Sequence, residues 1–333
     1  MVISVHVFNP NPVFDRTLSV PAVSPGAVIR ASAAEVTCGG KGINVARALN
    51  SLGSENRLAV PLGELDRVTY EMLLAAESLE ADVMGVPGGI RSATILLESE
   101  TDRVTVINEA GYLDDLEVWD EVCAWVVSTL VPGDLLAIMG SLPVGLPKDA
   151  LVRLVTGAHE AGARVLIDSA PTWLAPALTA SPDVVTPNLD EAEACLGLSD
   201  AQVMDSHDLA PEAARFRAES AAALLVDRGA AVACVTAGSS GVALARGSRV
   251  HWIPTVRVDV VSTVGAGDSF VAGLIHQLPA ADADEAAWVH AVASGIASAA
   301  ASCEQVLAGG VARARYDELL PKVHELLPEG VSA

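Results

Sequence analysis

Short apolar runs rich in β-branched residues recur along the chain at Val2–Phe8, Leu135–Met139, Val165–Ile167, Val184–Val185 and Ala231–Thr236. Between them, apolar positions fall at helical spacing, as in Val118–Leu130 and Ala150–Ala161. The alternation of strand and helix predicts a three-layer α/β/α fold, with a mainly parallel sheet between two helical layers. In open sheets of this kind ligands bind beyond the carboxyl ends of the strands. Asn9, Gly140-Ser141, Asn188 and Gly238 each follow a predicted strand there.

Two segments break the rhythm. Residues 11–37 and 88–110 read as short strands with no helix between them: Thr17–Val20, Ala27–Ala31, Thr94–Glu98 and Arg103–Ile107. Small β elements inserted into an α/β chain suggest a lid or a dimerisation flap. The expected organisation is a core of residues 1–10, 38–87 and 111–333, a small β lid from 11–37 and 88–110, and a homodimer through the lid. The stretch Ala291–Ala301 is almost entirely Ala, Ser and Gly and reads as a tightly packed buried helix. The most apolar long run, Val122–Met139, is broken by Pro132-Gly133-Asp134 and does not suit a bilayer.

Charge narrows the partners. With 20 basic against 42 acidic residues the net charge is −22, and no basic cluster appears, which argues against nucleic acid or an anionic membrane. The only lysines are Lys41, Lys148 and Lys322, so any phosphate must be held by a few placed cations and backbone N–H groups. The cysteines are scattered without a CxxC pair and the histidines form no HxH or HExxH arrangement, so neither a disulfide framework nor a zinc site is suggested. The chain opens directly on a strand pattern; a soluble, reduced, cytoplasmic protein is the expectation.

Two glycine-rich motifs carry chemistry. In Ser262-Thr263-Val264-Gly265-Ala266-Gly267-Asp268-Ser269-Phe270, the glycines allow a tight turn and the free N–H groups of the following helix favour an anion. Asp268 would be repelled by bound phosphate. It either caps the helix, as Asp often does, or removes a proton from an acceptor hydroxyl. In Cys38-Gly39-Gly40-Lys41-Gly42-Ile43-Asn44-Val45-Ala46-Arg47, Lys41 offers a cation to phosphate and Asn44 can bond hydroxyls. The spacing is neither a Walker A loop nor a GxGxxG fingerprint. Helix capping accounts for the glycines but not for Lys41 and Asn44 beside them.

Together these motifs resemble the signatures of the PfkB (ribokinase-like) carbohydrate kinases. Further positions agree in order: Asn9-Pro10 with Asp15, Gly26 followed by Arg30, Gly140-Ser141-Leu142-Pro143, Pro187-Asn188-Leu189-Asp190-Glu191, and Thr236-Ala237-Gly238-Ser239-Ser240-Gly241. The resemblance leans towards the kinases of ketohexose phosphates, namely 1-phosphofructokinase, 6-phosphofructokinase and tagatose-6-phosphate kinase. It implies ATP and Mg2+, with Asp268 as general base and the Gly265-Ala266-Gly267 turn stabilising the transferring phosphoryl group. It places the sugar phosphate on Asp15, Gly39, Gly40, Lys41, Asn44, Arg30, Arg91 and Ser141, because arginine grips phosphate bidentately; a solvated lid face is the plainer account of Arg30 and Arg91. The nucleotide is implied to lie along Asn188, Glu191, Thr236, Gly238, Gly241 and Thr263, with Glu191 acting on the metal through water. A helix start with a carboxylate in its first turn would equally produce Asn188 and Glu191.

The chain departs from the pattern at Thr186, where many relatives have lysine, at Ala93, where sugar-phosphate members usually have asparagine, and at Ser302-Cys303-Glu304-Gln305. None of these touches Asp268. Competing expectations are a kinase of an unphosphorylated sugar or nucleoside, and a catalytically weak sugar-phosphate sensor.

Overall fold

The computed structural model describes residues 4–101, 103–198, 209–278, 280 and 283–327; residues 2 and 3 of the expected first strand fall outside these. The main sheet has nine strands, in the order β13-β12-β11-β10-β9-β8-β1-β4-β5. They are β1 (Val5–Phe8), β4 (Arg57–Gly63), β5 (Ala81–Val86), β8 (Leu135–Met139), β9 (Arg164–Asp168), β10 (Val184–Val185), β11 (Val232–Thr236), β12 (Val242–Arg246) and β13 (Arg249–Ile253). The run from β5 to β11 is parallel, and only β12 runs against its neighbours. The central strands are continuous apolar stretches because helices cover both faces: β8 is buried at every residue.

One helical layer contains α1 (Lys41–Ser51), α2 (Arg67–Ala76), α8 (Ala266–His276), α9 (Glu285–Cys303) and α10 (Arg313–His324); the other contains α3 (Leu116–Ser128), α4 (Ala150–Glu160), α5 (Pro171–Ala177), α6 (Leu189–Leu196) and α7 (Pro211–Asp227). Val45 and Leu49 on the inner stripe of α1, with Leu52 at its C-cap, are fully buried. The small-residue run lies in α9, which is long and apolar enough to cross a membrane but is mostly buried inside the protein, against α8 and α10. Its small residues let α8 come close: a Cβ on Gly295 would fall 2.7 Å from the Phe270 ring, and one on Gly273 would fall 2.6 Å from Ser298 Cβ.

A second sheet of four strands, β3-β2-β6-β7, stands beside the first. It comprises β2 (Val13–Val20), β3 (Ala33–Gly39), β6 (Arg91–Glu98) and β7 (Arg103–Asn108). Here one expectation fails: Ala27–Ala31 is not a strand. Gly26 turns the chain with φ 80°, Val28 is 92% exposed, and β2 pairs instead with residues 33–39, in a register running from Ser19 opposite Ala33 to Val13 opposite Gly39. Gly39 therefore ends a strand, and the helix start is displaced to Lys41.

Candidate active site

The strand ends β1, β8 and β9 and the start of α1 open onto a cleft of about 690 Å³ between the two sheets. Among its lining residues are Asn9, Lys41, Arg91, Ser141, Lys148 and Glu191. Lys41 is the first residue of α1. Its Nζ donates to Asp168 Oδ1 at 2.6 Å and lies 3.7 Å from Glu191 Oε1. Desolvation opposes its charge, yet the carboxylates of Asp168, Glu191 and Asp268 hold the ammonium well above its ordinary pKa. Asn9 supports the turn before it by accepting the Gly42 N–H at 3.1 Å. The other end of that amide, Nδ2, is buried with no partner among the described residues.

Asp268 is buried in the first turn of α8 and is not the cap. That position belongs to Gly265, whose φ of 78° makes the left-handed turn, and no side chain caps the helix. A Cβ on Gly265 would come within 2.8 Å of the Gly309 N–H nitrogen and 3.0 Å of Ala308 Cβ, so the loop before α10 needs glycine here twice over. The Ala266 N–H closes the turn on the Thr263 carbonyl at 3.2 Å, and the first intrahelical bond runs from Ser269 N–H to the Gly265 carbonyl at 2.9 Å. The N–H groups of Gly267 and Asp268 precede that bond and face out of the helix end, where an anion is favoured. Space over Gly267 is open, with nothing within 4 Å of an added Cβ. Thr263 is exposed beside it.

The Asp268 carboxylate turns inward instead, and its Oδ2 accepts from Asn44 Nδ2 at 2.7 Å. Burial pushes its pKa up to about 6; Lys41 and the Asn44 hydrogen bond pull it down, while Asp168 and Glu191 push it up. Asp15, on β2, is also raised to about 6, by burial first, with Arg91 and Arg47 opposing and Glu77 adding. Its carboxylate occupies the space a side chain at Gly39 would need, just as Asn9 lies 2.7 Å from where a Cβ on Gly40 would stand.

Arg91 opens β6 and is held by Asn11: Nε donates to the side-chain oxygen at 3.1 Å and Nη2 to the carbonyl at 3.2 Å. Ser141 lies beyond Gly140, whose N–H donates to the Asp168 carbonyl at 2.7 Å. Arg30 is not brought in; it is exposed on the connection between β2 and β3, apart from the cleft lining. Asn188 and Glu191 form a capping box at the start of α6, with Asn188 Oδ1 accepting the Glu191 N–H and Glu191 Oε2 accepting the Asn188 N–H. The same glutamate still reaches towards Lys41, so its local role and its place at the cleft coexist. Burial raises the Glu191 pKa, with Lys41 opposing. Thr236 ends β11 and bridges to Asn188, leading into the turn of Gly238 and Gly241. Gly241 has a packing reason of its own, since a Cβ there would meet the Trp252 ring at 2.7 Å. Thr186, before Pro187, is buried with its hydroxyl unpaired among the described residues.

Three participants escaped sequence reasoning. Asp168 is visible only as a carboxylate ending a strand, Lys148 as a lone lysine, and Arg47 as one more residue of an amphipathic helix. Among the described residues no group of three or more His, Cys, Asp or Glu side chains forms a metal cage. Mg2+ is usually held by substrate phosphates, water and one or two carboxylates, and Glu191, which lines the cleft, is a carboxylate of that kind.

Known proteins agree with this architecture. Residues 11–314 match the model for the pfkB family of carbohydrate kinases. A 1-phosphofructokinase of Rhodobacter capsulatus is 33% identical over 277 residues, covering 83% of this chain and 84% of that protein. The 1-phosphofructokinase of Escherichia coli K12 is 30% identical over 269 residues, covering 80% and 82%. Among solved structures, phosphofructokinase-2 of Escherichia coli in complex with fructose-6-phosphate superposes with a TM-score of 0.82 at 24% identity, over 97% of this chain and 99% of that one. Ribokinase of Thermotoga maritima superposes with a TM-score of 0.71 at 21% identity, over 96% and 100%. The fold is ribokinase-like. The chain belongs to the pfkB family and is a carbohydrate kinase.

Proposed function

We propose that the chain transfers the γ-phosphoryl group of ATP to a hydroxyl of a ketohexose phosphate, with fructose 1-phosphate the first candidate. The observation that carries this reading is the cleft: a protein of net charge −22 gathers Lys41, Arg91 and Lys148 on its walls, next to a buried carboxylate. A free sugar needs hydroxyl partners, whereas three cations suit an acceptor that already bears phosphate. The relatives named 1-phosphofructokinase support the same class.

When bound, Mg-ATP supplies the phosphoryl group, and the metal neutralises charge on its oxygens. Asp268, ionised above pH 6, accepts the proton of the attacking hydroxyl; Asn44 holds the carboxylate that receives it. The outward N–H groups of Gly267 and Asp268 stabilise the charge developing on the transferring group. Asp15 and the Gly39-Gly40 turn bind sugar hydroxyls, Lys41, Arg91 and Ser141 the resident phosphate, and Thr263, Thr236, Gly238 and Gly241 the nucleotide. Glu191 orders water around the metal.

The test is an acceptor screen with Mg-ATP at matched concentrations of fructose 1-phosphate, fructose 6-phosphate, tagatose 6-phosphate and free fructose. One charge-assisted phosphate grip lost is about 10²-fold, so kcat/KM for the phosphates should exceed that for fructose by at least this factor. Turnover of free sugars but not of their phosphates overturns the reading.

The small sheet also presents exposed Val36, Val104 and Val106, and we infer that a homodimer forms through it. Light scattering showing a monomer that remains fully active would reject this.

A further inference from the structure

The hydrogen bond from Asn44 to Asp268 is the end of a longer arrangement. Asn44 Oδ1 accepts from Arg47 Nη1 at 2.8 Å. A guanidinium can only donate, so the amide has one orientation: oxygen towards Arg47, Nδ2 towards Asp268. Arg47 is itself fixed from several elements. Its Nε and Nη2 reach Glu77 Oε2 at 2.8 and 2.5 Å, just past α2. Nη2 also reaches the Cys38 carbonyl on β3 at 3.3 Å, and Nη1 the Ala308 carbonyl at 2.6 Å. Arg47 is 9% exposed. Without it the amide is free to turn its oxygen towards a protonated Asp268 and accept from it, so the preference for the ionised carboxylate is lost.

We propose that Arg47 is a positioning residue for phosphoryl transfer, locking the Asn44 amide so that it donates to Asp268 and keeps that carboxylate ionised and aimed. This rests on the reading of Asp268 as the base. The groups acting on Asp268 are Lys41 and Asn44 from α1, Asp168 from the end of β9 and Glu191 from α6. Those around Arg47 are Glu77, Cys38 and, through its charge, Asp15. The Asn44 amide lies between Arg47 and Asp268, bonded to one through its oxygen and to the other through its nitrogen, so the influence of Arg47 passes through it.

The experiment compares the full-length wild type with Arg47→Met, Arg47→Lys, Glu77→Gln and Asp268→Asn. It measures kcat and KM from about pH 5.5 to 9 with Mg-ATP and the ketohexose phosphate preferred in the screen. Arg47→Met should lower kcat at pH 7 by about tenfold or more, with sugar KM changed less than about threefold, since the lost interaction serves the reacting group. The acid limb of kcat/KM should rise by about one pH unit, the size expected for one charge-assisted hydrogen bond lost from a carboxylate. The substrate phosphate titrates identically in every variant and drops out of the comparison. Arg47→Lys, which donates but cannot fork to Glu77 and Asn44 together, should fall between. An unmoved acid limb in Arg47→Met, with turnover lost only in proportion to folded protein, overturns the proposal. If Arg47→Met does not fold, Glu77→Gln decides: a smaller upward shift supports positioning, and an unmoved limb rejects it. Wild-type turnover in Asp268→Asn removes the base and this proposal with it. Abolished turnover there, beside an unmoved limb in Arg47→Met, removes this proposal alone.

Discussion

Replacing Lys41 by methionine tests the charge balance of the cleft. Lys41 Nζ sits 2.6 Å from Asp168 and 3.7 Å from Glu191, and the Asp168 side chain is only 4% exposed. Removing one partner of a buried pair costs about 3–5 kcal/mol. A third of the Lys41 side chain reaches solvent, however (35%), and screening of such a group brings the expectation down to about 2 kcal/mol. Unfolding entropy for a chain of 333 residues is roughly 0.7 kcal/mol/K, so the melting temperature should fall by about 3 °C. The sign with pH is the sharper part. Lys41 pulls the Asp268 and Glu191 carboxyls down; without it both rise further. A carboxyl raised in the folded state subtracts stability above its pKa and nothing below the unfolded value near 4. The deficit of Lys41→Met against wild type should therefore be larger at pH 8 than near pH 4.5, by the share that Asp268 and Glu191 carry. Scanning calorimetry of both proteins at the two pH values reads this directly. An equal loss at both, or a greater loss in acid, would refute the argument.

Three further outcomes follow from the same site. With Asp268 as the proposed base, raised to about 6, the acid limb of kcat/KM in the wild type should lie near pH 6, and at pH 5 the rate should be roughly a tenth of its plateau. A limb below pH 5 would show that another group is titrating. Gly309→Ala should cost more than about 2 kcal/mol, because its φ of 72° is left-handed and a Cβ would overlap the Asn44 carbonyl. Gly267→Ala, opening on free space, should leave stability within about 0.5 kcal/mol while raising KM for ATP. Urea unfolding separates the two, and equal stability of the pair would contradict the crowding at Gly309.

Periodicity carried most of the main sheet. The runs at Leu135–Met139 and Val184–Val185 are strands over those same residues, because fully buried parallel strands have no polar positions to blur their ends. Ala27–Ala31 misled because an apolar stretch becomes a strand only where a neighbour can pair with it, and β2 finds Ala33–Gly39. At the site, Lys41, Asn44 and Asp268 were legible since glycine-rich turns mark where backbone and ligand approach. Asp168 and Arg47 were not. Their partners lie 127 residues away for the Lys41–Asp168 bond and 261 for the Arg47–Ala308 bond, and no local pattern records such a meeting. Whether Asp268 is the cap is open in the sequence for the opposite reason: Asp is so common at helix starts that its identity alone cannot separate the cap, which is Gly265, from the first turn.

The seam between α8 and α9 has a consequence for how this protein can change over time. With Gly295 against Phe270 and Gly273 against Ser298, added bulk on either face would lever the end of α8 that presents Asp268. Drift in acceptor preference must then come from elsewhere. Asn108 at the end of β7 and Glu109 and Ala110 after it line the cleft from exposed positions away from α8 and α9, so they can vary without disturbing Asp268. The protein thus separates a part that must be inherited nearly unchanged from a part on which new preferences can be tried.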